Sequence, residues 1–177
     1  MNVCVFCSSG EGRSPVYASV ALETGAQLAL RGDTVVHGGA IGGVMGKLTE
    51  GARLNGGRVI GVTSPEVRHI EWVSSSLQDI IETQTLSERK RKMMELADEF
   101  VILPGGFGTL DETCEIITRK QLGLTSQPIS FINVNGYWER FFDFIEAAET
   151  EDMIVTKGRD TFRVYASLED YLHAAPH

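Results

Sequence analysis

The chain has 177 residues, of which 42% are hydrophobic and 23% charged, a balance that fits one folded domain with a full core and excludes a disordered segment. Its formal net charge of −8 argues against a nucleic-acid polymer as partner, because neutralising a phosphate backbone needs a basic surface; a single small phosphorylated ligand needs only a local positive site. No apolar run approaches membrane-spanning length and no basic leader precedes the first apolar stretch, so no membrane partner and a cytoplasmic location are expected.

In chain order, Asn2–Cys7 reads as a first strand, followed by a polar glycine loop over Ser8–Gly12. Ser14 and Pro15 predict a helix start, with Ser14 as N-cap and Pro15 at the first helical position; Gly32 stops that helix after Arg31. Thr34–Val36 is a second strand running into a second glycine-rich turn, His37–Gly43. Val44–Leu54 is a helix, closed near Asn55-Gly56-Gly57, and Arg58–Val62 is a third strand. Thr63–Ser76, with Pro65, His69 and Trp72, shows no clean period. Leu77–Thr83 alternates weakly as a short strand, and Ser87–Ala97 is a helix. Phe100–Leu103 is short and apolar enough for a buried strand, and it leads through Pro104-Gly105-Gly106-Phe107-Gly108 into a helix over Thr109–Leu122. A strand over Pro128–Val134, a helix over Tyr137–Ala148, a short strand over Phe162–Tyr165 and a short helix over Ser167–Leu172 complete the chain, with 172–177 expected to fray.

Strands alternating with helices throughout imply a single α/β domain, a doubly wound parallel sheet with helices on both faces. Ligands in such sheets sit at the carboxyl ends of the strands, where all the glycine loops fall. Any one of these loops is explained by a tight turn between strand and helix; several at one sheet edge point to a ligand. Two familiar phosphate motifs fail. Gly106-Phe107-Gly108 begins a dinucleotide fingerprint, but Asp111 stands where its last glycine belongs. Gly46-Lys47 ends a Walker-type loop whose first glycine is Ile41 and whose Ser/Thr is Leu48. Cys4 and Cys7 form a C-x-x-C, but in a strand positions three apart point to opposite faces, and no second Cys/His pair completes a metal site. Both are read as buried structural thiols, and no metal is expected.

The helix Ser87–Ala97 carries a basic run. Glu88 with Lys92 and Arg91 with Glu95 have the spacing of exposed i, i+4 pairs, whereas Arg89 shares a stripe with Met93, Leu96 and Ala97 and points inward. A buried arginine needs an anionic partner, either a structural carboxylate or a ligand phosphate. Free N–H groups at the start of the helix after Gly108 attract anions. Thr109-x-x-Glu112 matches a capping box, in which Thr109 caps and Glu112 reaches back to it; Glu115 lies one turn further on the same side. Farther on, Trp138, Phe142 and Ile145 form one stripe, expected to face the sheet. Tyr137, Phe141 and Phe144 form a second, either sunk in the core or covered by a partner.

Pro104-Gly105-Gly106-Phe107-Gly108-Thr109-Leu110-Asp111-Glu112 resembles the PGGxGTxxE signature of the LOG ("lonely guy") family, the cytokinin riboside 5′-monophosphate phosphoribohydrolases once described as lysine decarboxylases. Glu88-Arg89-Lys90 resembles its second motif. Val5–Ser9, Gly38–Gly46, Gln121-Leu122-Gly123 and Asn133–Tyr137 are also similar, so the likeness covers roughly Asn2 to Ile154. The chain departs from the family pattern at His37, Ala40, Leu86 and Ser87. The resemblance implies a Rossmann-like fold, a homodimer and no cofactor. It implies that Arg89 and Glu112 are the catalytic pair, that Gly105, Gly106, Gly108 and Thr109 hold the phosphate end, and that Lys90 assists. Ser8, Gly38 and Gly39 fall among the implied substrate-binding residues, and Glu115 is assigned to ribose hydroxyls or water.

The implied reaction hydrolyses the N-glycosidic bond of a nucleoside 5′-monophosphate, a cytokinin riboside 5′-monophosphate or AMP, to free base and ribose 5-phosphate. A non-catalytic nucleotide carrier, a pyridoxal-phosphate lysine decarboxylase and a dinucleotide oxidoreductase are the alternatives weighed against it.

Overall fold

The computed structural model describes residues 1–68, 79–154 and 161–174. Strands β1 (Asn2–Phe6), β2 (Thr34–His37), β3 (Arg58–Thr63), β4 (Asp79–Glu82), β5 (Glu99–Ile102), β6 (Ile129–Ile132) and β7 (Arg163–Tyr165) form one sheet in the order β4-β3-β2-β1-β5-β6-β7. Every pair is parallel. Val3, Cys4, Val5 and Phe6 of the central strand are all at most 1% exposed, so β1 reads as a continuous apolar run because both of its faces are covered.

Helices α1 (Pro15–Leu30), α2 (Gly43–Leu54), α3 (Pro65–Arg68), α4 (Leu86–Leu96), α5 (Phe107–Gln121), α6 (Glu139–Thr150) and α7 (Leu168–Ala174) supply the covers. On one face Ala21 and Leu28 of α1, Leu48 and Ala52 of α2, and Leu168 and Tyr171 of α7 pack on Val3, Val5, Val35 and Val101. On the other, Met93 of α4, Ile116 of α5, and Phe142 and Ile145 of α6 pack on Cys4, Phe6, Val36 and Ile102. This is the expected doubly wound arrangement. Cys4 and Cys7 are buried, in no disulfide, and belong to opposite core clusters, as strand geometry requires. The α1–α2 packing is at backbone distance: a Cβ on Gly25 would stand 2.0 Å from the Leu48 carbonyl oxygen, and one on Gly51 1.8 Å from that of Leu22.

The chain winds outwards from β1 through β2 to β3 with α1 and α2 on one face, and from β5 through β6 with α5 on the other. Right-handed crossovers force that change of face where the direction of winding reverses. The loops after β1 and β5 therefore diverge and leave a crevice between them at the carboxyl edge.

Several boundaries differ from expectation. The β6–α6 connection holds a 3₁₀ turn, Val134–Gly136, so α6 starts at Glu139 instead of Tyr137. Helix α7 continues through Ala174, so residues 172–174 do not fray. Ser14 is the N-cap residue of α1, but its side chain makes no cap hydrogen bond. Pro65–Arg68 forms a helical turn inside the unpatterned segment, while His69, Trp72 and Leu77 lie outside the described residues.

Candidate active site

Backbone hydrogen bonds join the glycine loops into one edge. Ser8 N–H donates to the Pro104 carbonyl at 3.2 Å, linking the β1 and β5 loops. Met45 N–H donates to the Ser8 carbonyl at 2.9 Å and Val44 N–H to that of Gly10 at 3.2 Å, linking the β1 loop to the start of α2. The Val44 and Met45 amides in the first turn of α2 are thus consumed by protein carbonyls. Those of α5 meet a different environment. Gly106 is its N-cap, without a side-chain cap, and Cβ atoms built on Gly106 and Gly108 would meet nothing within 4 Å. Helix start and open space coincide there, the requirement for binding an anion on backbone N–H groups.

The capping box expected at Thr109 and Glu112 does not form. Helix α5 begins two residues earlier, at Phe107, and places both side chains inside its first turns, where they are buried. Thr109 is held under Gly105, whose added Cβ would fall 2.0 Å from Thr109 Oγ1. The same sequence pattern does cap α4. Thr85 Oγ1 accepts from Glu88 N–H at 3.2 Å, and Glu88 Oε2 accepts from Gln84 N–H at 2.9 Å. Glu88 is therefore a cap where an exposed pair with Lys92 was expected; Lys92 instead lies 3.9 Å from Glu95, and Arg91 pairs with Glu95 at 3.6 Å.

That cap aims α4 so that Arg89 points into the fold. The residue is 6% exposed, and its guanidinium is gripped from three sides. Nε donates to the Val62 carbonyl at 2.9 Å, Nη2 to the Gly38 carbonyl at 3.1 Å, and Nη1 to Glu112 Oε1 at 3.5 Å. Glu112 is 7% exposed. Within the protein Arg89 therefore meets a carboxylate together with two main-chain carbonyls, and it also lines the cleft described below.

Behind this grip stands His37. Its ring is fully buried; Nδ1 accepts from Gly39 N–H at 2.8 Å, and Nε2 meets Thr49 Oγ1 at 2.8 Å. Thr49 Oγ1 donates onwards to the Met45 carbonyl at 3.2 Å, so the imidazole is the neutral Nε2–H tautomer. Burial, reinforced by the Arg89 charge, lowers its pKa to about 4.

A cleft of about 400 Å³ opens onto this constellation, within the roughly 300–1,000 Å³ of small-molecule sites. Of the residues expected from sequence, Ser8, Arg89, Gly106, Gly108, Thr109 and Glu112 line it. Gly38 and Gly39 lie behind Arg89, forming the turn that presents the Gly38 carbonyl. Gly105 is buried beneath the loop. Lys90 and Glu115 bind each other at 2.9 Å, and Lys90 also reaches Asp111 at 2.9 Å, strapping α4 to α5 beside the cleft. Burial pulls the Lys90 pKa down, but the hydrogen bonds to Glu115 and Asp111 outweigh it and the net shift is upward.

Sequence reasoning did not anticipate Glu66, Val67 and Leu86, which also line the cleft. Glu66 and Val67 come from the unpatterned segment, where Ser64-Pro65 was the available signal of a helical start. Sequence reasoning also gave Tyr137 no role at the site, whereas the hydroxyl donates to the Gly105 carbonyl at 2.8 Å. The Asn135-Gly136 turn dipeptide just before it was the available signal.

The family model described as "Possible lysine decarboxylase" matches residues 45–174. The probable cytokinin riboside 5′-monophosphate phosphoribohydrolase LOGL9 of Oryza sativa subsp. japonica is 37% identical over 161 residues, spanning 91% of this chain and 71% of that protein. The chain belongs to the LOG family. The cytokinin riboside 5′-monophosphate phosphoribohydrolase LOG4 of Arabidopsis thaliana is 35% identical over 158 residues, 89% of this chain and 74% of that protein. Among solved structures, the Chlamydomonas rheinhardtii Moco carrier protein superposes with a TM-score of 0.71 at 22% identity, covering 98% of this chain and 93% of that one. The molybdenum cofactor binding protein of Rippkaea orientalis gives the same TM-score at 21% identity, covering 97% and 93%. At that identity the likeness is one of fold, and it agrees with the Rossmann-like architecture.

The residues present do not fit a pyridoxal phosphate Schiff base. No lysine lines the cleft among the described residues, and Lys90 is occupied by Asp111 and Glu115.

Proposed function

We propose that the chain hydrolyses the N-glycosidic bond of a nucleoside 5′-monophosphate, a cytokinin riboside 5′-monophosphate or AMP, releasing free base and ribose 5-phosphate. The observation that carries this reading is the placement of a buried carboxylate, Glu112, one helical turn beyond the uncapped start of α5 at Gly106–Thr109, in one cleft. The substrate class printed for the LOG relatives supports it.

The phosphate sits on the α5 N-terminus, within reach of the Gly106, Gly108 and Thr109 amides. It lies away from the bond that breaks, so its binding energy goes into holding the ribose in place. Cleavage breaks the bond between C1′ and the base nitrogen; the electron pair leaves on the base, which takes up a proton. Positive charge builds on C1′ and the ring oxygen, as in other glycosidic cleavages. Glu112 faces that charge and either stabilises it directly or takes the proton of the water that adds to C1′. Arg89, itself fixed by two carbonyls, holds the Glu112 carboxylate in orientation. Ser8 completes the wall of the cleft across from α5, and the Lys90–Glu115 strap keeps α4 and α5 in register.

The test is chromatography of the base released from AMP, from an N6-prenylated AMP and from adenosine. Turnover of the monophosphates with little turnover of adenosine is expected; equal rates on both sink the phosphate-anchor reading. A mass balance with AMP separates turnover from binding alone.

A homodimer is also proposed. Trp138, Phe142 and Ile145 are buried, and Phe141 of the second stripe packs on the same core, whereas Phe144 is 66% exposed and Tyr137 40%. A second copy covering that face accounts for its apolar character, and sedimentation equilibrium tests it. Among the described residues no helix is long and apolar enough to cross a membrane, and a cytoplasmic location is proposed with the rest.

A further inference from the structure

The turn between β6 and α6 is an unusual piece of backbone. Asn135 and Gly136 are consecutive residues in the left-handed region, at φ 52 and φ 68. Asparagine is among the few side chains that tolerate that region, and residues held there cluster at functional sites. The turn is fastened on both sides: Asn133 Oδ1 accepts from Trp138 N–H at 2.8 Å, and the Asn133 side-chain amide donates to Glu139. Its outcome is to carry Tyr137 back over the carboxyl edge of the sheet to the β5 loop. There its hydroxyl donates to the buried carbonyl of Gly105 at 2.8 Å. The ring is braced edge-on by Tyr17 at 5.5 Å between centroids and by Trp138 at 5.0 Å. Tyr17 is in turn seated against Gly12, where a Cβ would come within 2.9 Å of the ring.

A trans peptide is planar, with its C=O and N–H pointing to opposite sides. No peptide bond is cis among the described residues. Fixing the Gly105 carbonyl towards Tyr137 therefore turns the Gly106 N–H the other way, to the side of the cleft that Gly106 lines. Gly106 has open space around its Cα, so side-chain packing does not hold this peptide in place.

We infer that Tyr137 is a positioning residue for anion binding: its hydroxyl locks the Gly105–Gly106 peptide so that the Gly106 N–H is presented to the substrate phosphate. This rests on the proposed phosphate site at the start of α5. Tyr137 touches no reacting atom. It acts through one peptide plane, so its effect falls on phosphate affinity rather than on bond cleavage.

The test compares wild type with Tyr137→Phe, which keeps the ring and its packing on Tyr17 and Trp138. Titration calorimetry with ribose 5-phosphate and steady-state AMP hydrolysis are measured on both, together with melting temperature. Loss of one oriented hydrogen bond predicts that the ribose 5-phosphate Kd and the AMP KM rise about tenfold. The kcat is expected to stay within about threefold and the melting temperature close to that of wild type. In the 15N spectrum, the Gly106 amide shifts on adding ribose 5-phosphate to wild type and shifts less in the variant. An unchanged Kd in Tyr137→Phe overturns the inference while leaving the proposed function standing. A fall in kcat and melting temperature with Kd unaltered reduces Tyr137 to a structural brace and overturns it as well. If wild type neither binds ribose 5-phosphate nor cleaves AMP, the functional reading and the inference fail together.

Discussion

Gly38 and Arg89 occupy one space: a Cβ on residue 38 would lie 1.9 Å from Nη2 of Arg89 and 3.1 Å from its Cζ. The absence of a side chain at position 38 lets the guanidinium reach the Gly38 carbonyl. The Val62 carbonyl and Glu112 complete the grip.

Gly38→Ala is therefore expected to displace the guanidinium and with it the Glu112 carboxylate. A shift of about 1 Å at a reacting group costs on the order of 10²-fold in rate. Overpacking at this buried point is expected to cost about 1–3 kcal/mol of stability. Steady-state AMP hydrolysis and urea denaturation read the two effects; a variant with wild-type kcat would mean that the position of Arg89 does not matter for turnover.

Glu112→Gln keeps the size of the side chain and an oxygen that can face Arg89, but removes the negative charge. We expect the protein to fold and turnover to fall about 10²–10⁴-fold, with KM changed little. Quantifying adenine released from AMP, alongside a circular dichroism spectrum, checks both halves. Full activity in this variant would rule Glu112 out as the group that meets the developing charge.

The glycines of the α5 loop are predicted to separate into two kinds. At Gly108, inside the helix, an added Cβ meets nothing within 4 Å, so Gly108→Ala is expected to hold or raise stability, by up to about 1 kcal/mol on helix propensity. It should nevertheless weaken binding of AMP, because the methyl group enters the anion's space. At Gly105 the Cβ collides with Thr109, and Gly105→Ala is expected to destabilise the fold. Melting temperatures and KM values for the two variants decide this; a Gly108→Ala enzyme with unaltered KM would leave the cradle without a ligand.

His37 makes stability depend on pH with a definite sign. Its pKa is lowered from 6.5 in the unfolded chain to about 4 in the fold. Between those values the unfolded state binds a proton that the native state does not. Its contribution is fully present above pH 6.5 and is lost progressively as pH falls towards 4. The shift corresponds to about 3 kcal/mol. Protonation at Nδ1 would also remove the acceptor for Gly39 N–H. Urea midpoints followed from pH 7.5 to pH 4.5 should decline more steeply for wild type than for His37→Asn; parallel curves would count against a buried neutral imidazole.

Much of this molecule was legible without coordinates, for a local reason. Apolar period and glycine punctuation depend on neighbours in sequence, and they disclosed the strand–helix alternation, the opposite faces of Cys4 and Cys7, and the inward direction of Arg89. The parallel topology then placed the glycine loops at one edge. What Arg89 meets was undecidable, because Gly38 and Val62 are 51 and 27 residues away and become neighbours only through strand order. The same limit applies to Lys90, whose carboxylate partners are on another helix, and to Tyr137, which finds Gly105 across 32 residues. Thr109 shows why a local motif is not enough. Thr85-x-x-Glu88 and Thr109-x-x-Glu112 are equivalent as sequence, but only the first is a cap, because α5 begins two residues before Thr109 and buries it under Gly105. The sequence by itself determined the strands and the longer helices, though not α3 or the 3₁₀ turn, and which edge carries the cleft. Tertiary structure alone decided which groups face each other inside it, since those contacts join residues that no local interaction brings together.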